Sequence, residues 1–412
     1  MIKYDYTTLD NGLKVIVHQD KSTPLVAMNI IYKVGSRDEN PDKTGFAHLF
    51  EHLMFGGSVN IPKYDNPLQN AGGENNAFTN NDFTNYYLTI PKSNIETAFW
   101  LESDRMLSLA FSEKSLEVQQ QVVIEEFKQN YLNQPYGDIY LLLKPLAFKE
   151  HPYQWNTIGK DISHIENANM DDVKLFYNKF YNPNNAILSI AGNVKPDEIF
   201  KLTEKWFGGI EAGDEIIRNY PQEPLQLVNR ELIVERNVPQ TAVYFAWHMD
   251  KRNSKGFYAC DLISDILSNG NSSRLFSRLV KDRKMFSELN AFVSGDMDKG
   301  LFIVSGKLIN GFTPTDAENA IDEQLNDLIS KQVSDLELEK VKNKIESNLV
   351  FSRLSALNKA MNLAYYEMLE SAALLESEKE KYAAVTKEDI QQKAKEIFAK
   401  GKKNKLVYLS KN

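Results

Sequence analysis

Apolar and polar positions along this chain follow two periods in turn, and each change of period marks an element. After the turn signal Asp10-Asn11-Gly12, the run Leu13-Lys14-Val15-Ile16-Val17 alternates as a strand does, and Leu25 through Tyr32 predicts a second strand. Between Gly45 and Gly56 the period lengthens to that of a helix over the apolar run Phe46-Ala47-His48-Leu49-Phe50-Glu51-His52-Leu53-Met54-Phe55. Ser115 to Phe127 is also helical in pattern, with Val118, Val122, Val123 and Phe127 expected on its buried side.

The pattern recurs. Leu13 to Val17 followed by Pro24 and Val26-Ala27 is echoed by Leu232-Ile233-Val234-Glu235 followed by Pro239 and Thr241-Ala242-Val243. Asn76-Ala77-Phe78-Thr79 is echoed by Asn290-Ala291-Phe292-Val293, each leading through an acidic turn into a strand, Tyr86 to Ile90 or Leu301 to Val304. Gly213 to Pro224 is charged and Pro-bearing with no apolar period. A linker is therefore expected at 213–229, between a first half at 1–212 and a second at 230–412.

Composition narrows the class. With 412 residues, 42% hydrophobic and 25% charged, the chain can bury more than one full core. A net charge of −8 and a pI near 5.5 argue against a nucleic-acid partner, which needs a basic stripe. The one basic run, Lys400 to Lys405, is expected to be a solvated turn before the last strand. Cys260 is the sole cysteine, so neither a disulfide framework nor a cysteine metal site is expected. No stretch approaches the ~18 consecutive apolar residues of a membrane span, and no basic-then-apolar leader opens the chain. A cytoplasmic protein is the expectation.

The candidate chemistry lies in the first helix. His48 and His52 are four apart, so in a helix both imidazoles reach one cation, while Glu51 projects toward its open side. Two histidines on an apolar helix are commonly just half-buried side chains, but only six histidines occur in the chain, and accident is a poor explanation. A catalytic zinc needs a third protein ligand with a fourth position left for water, and a carboxylate is usual in a peptidase. The helix from Ser115 offers Glu125 and Glu126; Glu126 follows Val122 by four and Val123 by three, whereas Glu125 is turned closer to solvent.

These residues resemble the inverted-zincin family of pitrilysin, insulin-degrading enzyme and mitochondrial processing peptidase, and the likeness covers nearly the whole chain. It is carried by His48-Leu49-Phe50-Glu51-His52, by Val122-Val123-Ile124-Glu125-Glu126, by Ala71 through Thr79, and by Tyr181-Asn182-Pro183-Asn184-Asn185-Ala186. The resemblance implies an α+β fold of two homologous domains, each a mainly antiparallel sheet packed with helices. It implies one Zn²⁺ per chain on His48, His52 and Glu126, with Glu51 as general base of a zinc endopeptidase, and extended peptide lying along Asn76, Ala77 and Phe78. Gln119 takes the place of an outer carboxylate that orients a metal ligand in the family.

The halves are chemically unequal. The helix of the second, around Ala259 to Leu267, has no histidine, so that half is expected to be a wall or a substrate-binding partner. The family usually places an Arg and a Tyr seven apart after a Ser-Arg-Leu segment, to stabilise the oxyanion and hold substrate. Here Ser273-Arg274-Leu275 is followed by Val280 and Ser287 at those positions. The resemblance then implies a heterodimer with a homologous subunit that carries the pair, or a homodimer if Arg283 serves instead. A non-catalytic scaffold and a peptide-binding module of the same fold are the alternatives.

Overall fold

Among residues 2–411, which the computed structural model describes, eleven strands form two separate sheets. The first holds β1 (Asp5–Thr8), β2 (Lys14–Gln19), β3 (Leu25–Tyr32), β4 (Glu74–Thr79), β5 (Thr84–Pro91) and β6 (Ala186–Gly192), in the order β1-β2-β6-β3-β5-β4. Only β2 and β6 run parallel; the other pairs are antiparallel. β3 and β6 lie at the centre and are buried along nearly their whole length, which is why both read as continuous apolar runs. β4 is the edge, and it is only half-buried.

The second sheet holds β7 (Arg230–Arg236), β8 (Ala242–His248), β9 (Phe286–Val293), β10 (Leu301–Leu308) and β11 (Asn404–Ser410), in the order β7-β11-β8-β10-β9. Again one pair, β7 with β11, is parallel. One core cluster joins Phe245, Trp247, Phe302 and Val304 to helices Lys255–Ser268, Pro314–Ser330 and Lys387–Ile397. A second cluster joins Tyr244, Ala246, Ile303 and Tyr408 to Leu143 and Ala147 of the helix Ile139–Ala147. The α+β architecture with mainly antiparallel sheets agrees with expectation.

The contiguous halves, 1–212 and 230–412, describe the order of the sequence; the compact units are discontinuous. The first unit comprises the chain up to Lys128, Trp155–Tyr220 and Leu349–Ser377, and the second Gln129–Gln154, Pro221–Asn348 and the chain from Glu378. Helix Ile139–Ala147, from the first half of the sequence, thus covers the second sheet, and helix Ala356–Leu369, from the second half, covers β3 and β6 of the first. The stretch at 213–229 is irregular but anchored. Arg218 and Tyr220 both donate to Asp38 in the first unit, at 3.0 and 2.6 Å, and Glu223 accepts the N–H groups of Lys149 and Glu150 in the second.

One smaller expectation changes. Lys403 and Lys405 are not freely solvated: both are largely buried and reach Glu318, at 2.9 and 2.7 Å. Cys260 is buried, and burial pushes its thiol up to about 12, so it is unreactive at neutral pH. No helix of the described residues is long and apolar enough to cross a membrane.

Small residues let the helix Ala356–Leu369 approach the first sheet closely: Ala27, Ala191 and Ala360 meet there with no solvent exposure. A leucine in place of Ala360 has no room. Ala360→Leu is expected to destabilise the chain by about 1–3 kcal/mol through overpacking, read as a lower denaturant midpoint at unchanged slope.

Candidate metal centre

The helix Phe46–Leu53 buries Phe46, Ala47, Leu49, Phe50 and Leu53, the helical period of one apolar face. Phe50 stacks on Phe176 and Tyr181 at ring-centroid distances of 5.0 and 5.2 Å. Burying such a ring stabilises the fold by roughly 1.5–3 kcal/mol and fixes how the helix rolls. His48, Glu51 and His52 are what remains on the other face.

The entry to this helix is tightly held. Gly45 stands at its N-cap with φ +92, and a Cβ there would lie 2.8 Å from the Ile158 carbonyl oxygen, so only glycine fits. The preceding Thr44 N–H donates to His164 Nδ1 at 3.0 Å, and Thr44 Oγ1 accepts from the Lys160 N–H at 2.9 Å. The Glu39 carboxylate reaches across from the preceding turn. Oε2 accepts from Gly45 N–H and Oε1 from Ala47 N–H, each at 2.9 Å. Burial pushes Glu39 up to about 8, while those two N–H bonds pull the other way.

The second helix, Glu113–Phe127, begins at Ser112, whose Oγ accepts from the Ser115 N–H at 3.1 Å. Its buried side corrects the expected stripe. Leu116, Val123, Ile124 and Phe127 are buried, whereas Val118 and Val122 are 49% and 43% exposed. The reason is tertiary: the helix packs against Phe46–Leu53 and the Ile162–Glu166 segment, and Gln120 is pinned by donating to the Ile165 and Ala168 carbonyls at 2.7 and 2.8 Å. That roll still turns Glu126 inward between Val123 and Phe127 and leaves Glu125 exposed, paired with Lys128.

His48, His52 and Glu126 converge. Glu126 Oε2 lies 3.7 Å from His48 Nε2 and 3.4 Å from His52 Nε2, and the two imidazole planes meet at 90°. Two ligand atoms at ~2.0–2.1 Å from a tetrahedral zinc stand about 3.3–3.4 Å apart, so these separations fit such an ion. Among the described residues this is the one trio of His, Cys, Asp or Glu side chains close enough to share a metal. Burial, reinforced by His52, pushes His48 down to about 4 against the attraction of Glu126, which keeps it in the neutral form that ligates metal. Glu126 is held low chiefly by its hydrogen bond with His52.

Glu51 stands beside the trio. Burial raises its carboxyl above the ordinary range, while Thr79 Oγ1 donates to Oε2 at 2.7 Å and pulls in the other direction. Thr79 ends the edge strand β4, and this orienting role was not evident in the sequence, where the threonine merely closes a polar strand. Asn76, Ala77 and Phe78 also lie on β4, against which the motif helix packs. On that edge the Ala77 N–H meets only a local partner, Asn76 Oδ1 at 2.8 Å. At the corresponding position of the edge β9, Ser268 Oγ both accepts from the Ala291 N–H and donates to its carbonyl, at 2.7 and 2.8 Å.

The remaining residues singled out in the sequence have these partners. Gln119, two turns before Glu126, makes no hydrogen bond to either histidine, and His48 Nδ1 is buried without a partner. Val280 packs against the second unit's core, and Ser287 Oγ donates to Gln240 Oε1 at 2.8 Å. Arg283, the candidate substitute, holds Glu323 at 2.7 Å in an exposed ion pair.

Comparison with known proteins places the chain in a family. Residues 14–152 match the domain family described as insulinase (peptidase family M16), and residues 167–345 match the peptidase M16 inactive domain. Zinc protease PqqE of Helicobacter pylori is 31% identical over 350 residues, 82% of this chain and 78% of that protein. An uncharacterised zinc protease of Bacillus subtilis, YmxG, is 24% identical over 364 residues, 88% of this chain and 87% of its own. The crystal structure of a protease from Helicobacter pylori superposes with a TM-score of 0.93 at 27% identity, covering 99% of this chain and 100% of that one.

The depressed His48 has a consequence for pH. Its imidazole should titrate with a midpoint near 4 in the metal-free chain, well below an exposed histidine, as ring-nitrogen NMR shifts would report. Because the folded value lies below the unfolded one of 6.5, the stability His48 contributes is present above pH 6.5 and is lost as pH falls through 4. A His48→Gln variant should lack that part of the acid loss.

Proposed function

We infer the function from one premise: the chain belongs to the M16 peptidase family. We propose that it is a zinc-dependent endopeptidase acting on extended peptides. The observation that carries this reading is the convergence of His48, His52 and Glu126 with Glu51 at their side. Relatives named as zinc proteases support the choice of metal.

A zinc ion held by these three side chains would supply Lewis acidity, making water acidic near neutral pH and polarising a substrate carbonyl. Glu51 does the proton work. Thr79 holds Oε2, which leaves Oε1 to take the proton as water oxygen bonds to the carbonyl carbon, and Glu51 then delivers it to the amine nitrogen as the C–N bond breaks. The raised carboxyl suits both halves of that task, since burial that makes it a stronger base does not prevent it from giving the proton back.

The substrate would lie as an added strand along β4, bonding main chain to main chain at Ala77, with Asn76 and Phe78 beside it. Only an extended segment can pair in this way, so unfolded peptides are favoured over folded proteins. At β9 the Ala291 N–H is already taken by Ser268, which supports β4 as the edge used.

Val280, Ser287 and the engaged Arg283 favour a split site. The oxyanion donors would then come from a homologous subunit carrying the Arg/Tyr pair, in a heterodimer.

Three outcomes test this. The purified chain should hold one zinc, and a His48→Ala, His52→Ala double variant should hold none; full occupancy in that variant would exclude the site. Glu51→Gln should keep zinc and lose ~10²–10⁴-fold in turnover, whereas a non-catalytic scaffold would show no turnover to lose and a binding module would hold peptide uncut. The isolated chain should be weakly active and gain ~10²–10³-fold when the Arg/Tyr-bearing subunit is added; full turnover alone, absent in Glu51→Gln, would eliminate the split site.

A further inference from the structure

The helix that carries both histidines cannot cap itself. Its N-cap is Gly45, with no side chain, and its first turn has no acidic residue. The usual remedy of Ser, Asp or Asn at that position is closed, because φ is +92 and any Cβ would collide with the Ile158 carbonyl. The first N–H groups of a helix nevertheless need acceptors when buried. Glu39 supplies both from outside, one carboxylate oxygen to Gly45 N–H and the other to Ala47 N–H.

His48 directly follows Ala47. It sits in the first turn of a helix of eight residues, where helices fray most readily. A metal-ligating histidine is normally aimed by an acceptor on its second ring nitrogen. Here His48 Nδ1 has none, and Gln119 does not provide one. With no acceptor on that nitrogen, the aim of the ring depends on the position of the backbone beneath it as well as on its contacts with His52 and Glu126.

We propose that Glu39 is a positioning residue for the metal centre: its buried carboxylate pins the first turn of the helix Phe46–Leu53 and thereby sets the direction from which His48 meets the ion. Burying a carboxylate is costly. At 6% exposure Glu39 is retained where an apolar residue would pack without that cost but would leave two N–H groups unmet. The inference rests on the reading of His48, His52 and Glu126 as metal ligands.

The full chain and its Glu39→Gln variant are compared by chelator competition for zinc and by the visible spectrum after cobalt replaces zinc. The glutamine keeps the shape but has one acceptor oxygen, so one of the two N–H groups faces an amide. Affinity should fall ~10–100-fold, the range for a residue acting behind a ligand, and the cobalt bands should shift. Ala360→Leu, destabilising in the same unit but remote in role, should move neither. If Glu39→Gln does not fold, Glu39→Asp, which keeps the carboxyl group but is one methylene shorter, carries the comparison. Zinc affinity within about twofold of the parent, the scatter of uncoupled sites, with an unmoved cobalt spectrum overturns the proposal. A parent chain that holds no zinc overturns the metal reading and this inference together.

Discussion

The proposed chemistry depends on the distance between two helices. His48 and His52 come from one and Glu126 from the other, and a separation of 3.4–3.7 Å between their ligand atoms survives only if neither helix slides or rolls. Close packing provides that rigidity. Phe50 is locked against Phe176 and Tyr181, Gln120 ties the second helix to two carbonyls, and Glu39 and Thr44 hold the entry of the first.

The sheet contributes in a different way. Its central strands are buried on both faces and serve as foundation, while β4 at the edge brings Thr79 to Glu51. One element thus orients the proposed base and offers the proposed docking line. The second sheet has the same Asn-Ala-Phe segment at its edge, where Ser268 bonds Ala291.

Each sheet is also covered by a helix from the other half of the sequence, Ile139–Ala147 on the second and Ala356–Leu369 on the first. Neither half of the chain, cut at the linker, would contain a complete compact unit. That follows from burial: without the helix Ala356–Leu369, the sheet face at Ala27 and Ala191 would be open to water.

Much was determined by the sequence alone. Alternation placed the strands, and the spacing of His48, Glu51 and His52 put three functional groups on one helical face, because those periods are local properties of the backbone. That Glu126 rather than Glu125 turns toward the histidines was also legible, although the stripe that suggested it was half wrong: Val118 and Val122 face solvent. Which side of that helix is buried was decided by the segments packed on it, and no local period specifies those. The roles of Glu39 and Thr79, the exchange of covering helices and the Ser268 contact likewise appeared only in three dimensions. Each joins residues distant in the chain or across a turn through a hydrogen bond or a packed face, and such contacts leave no period in the sequence to be read.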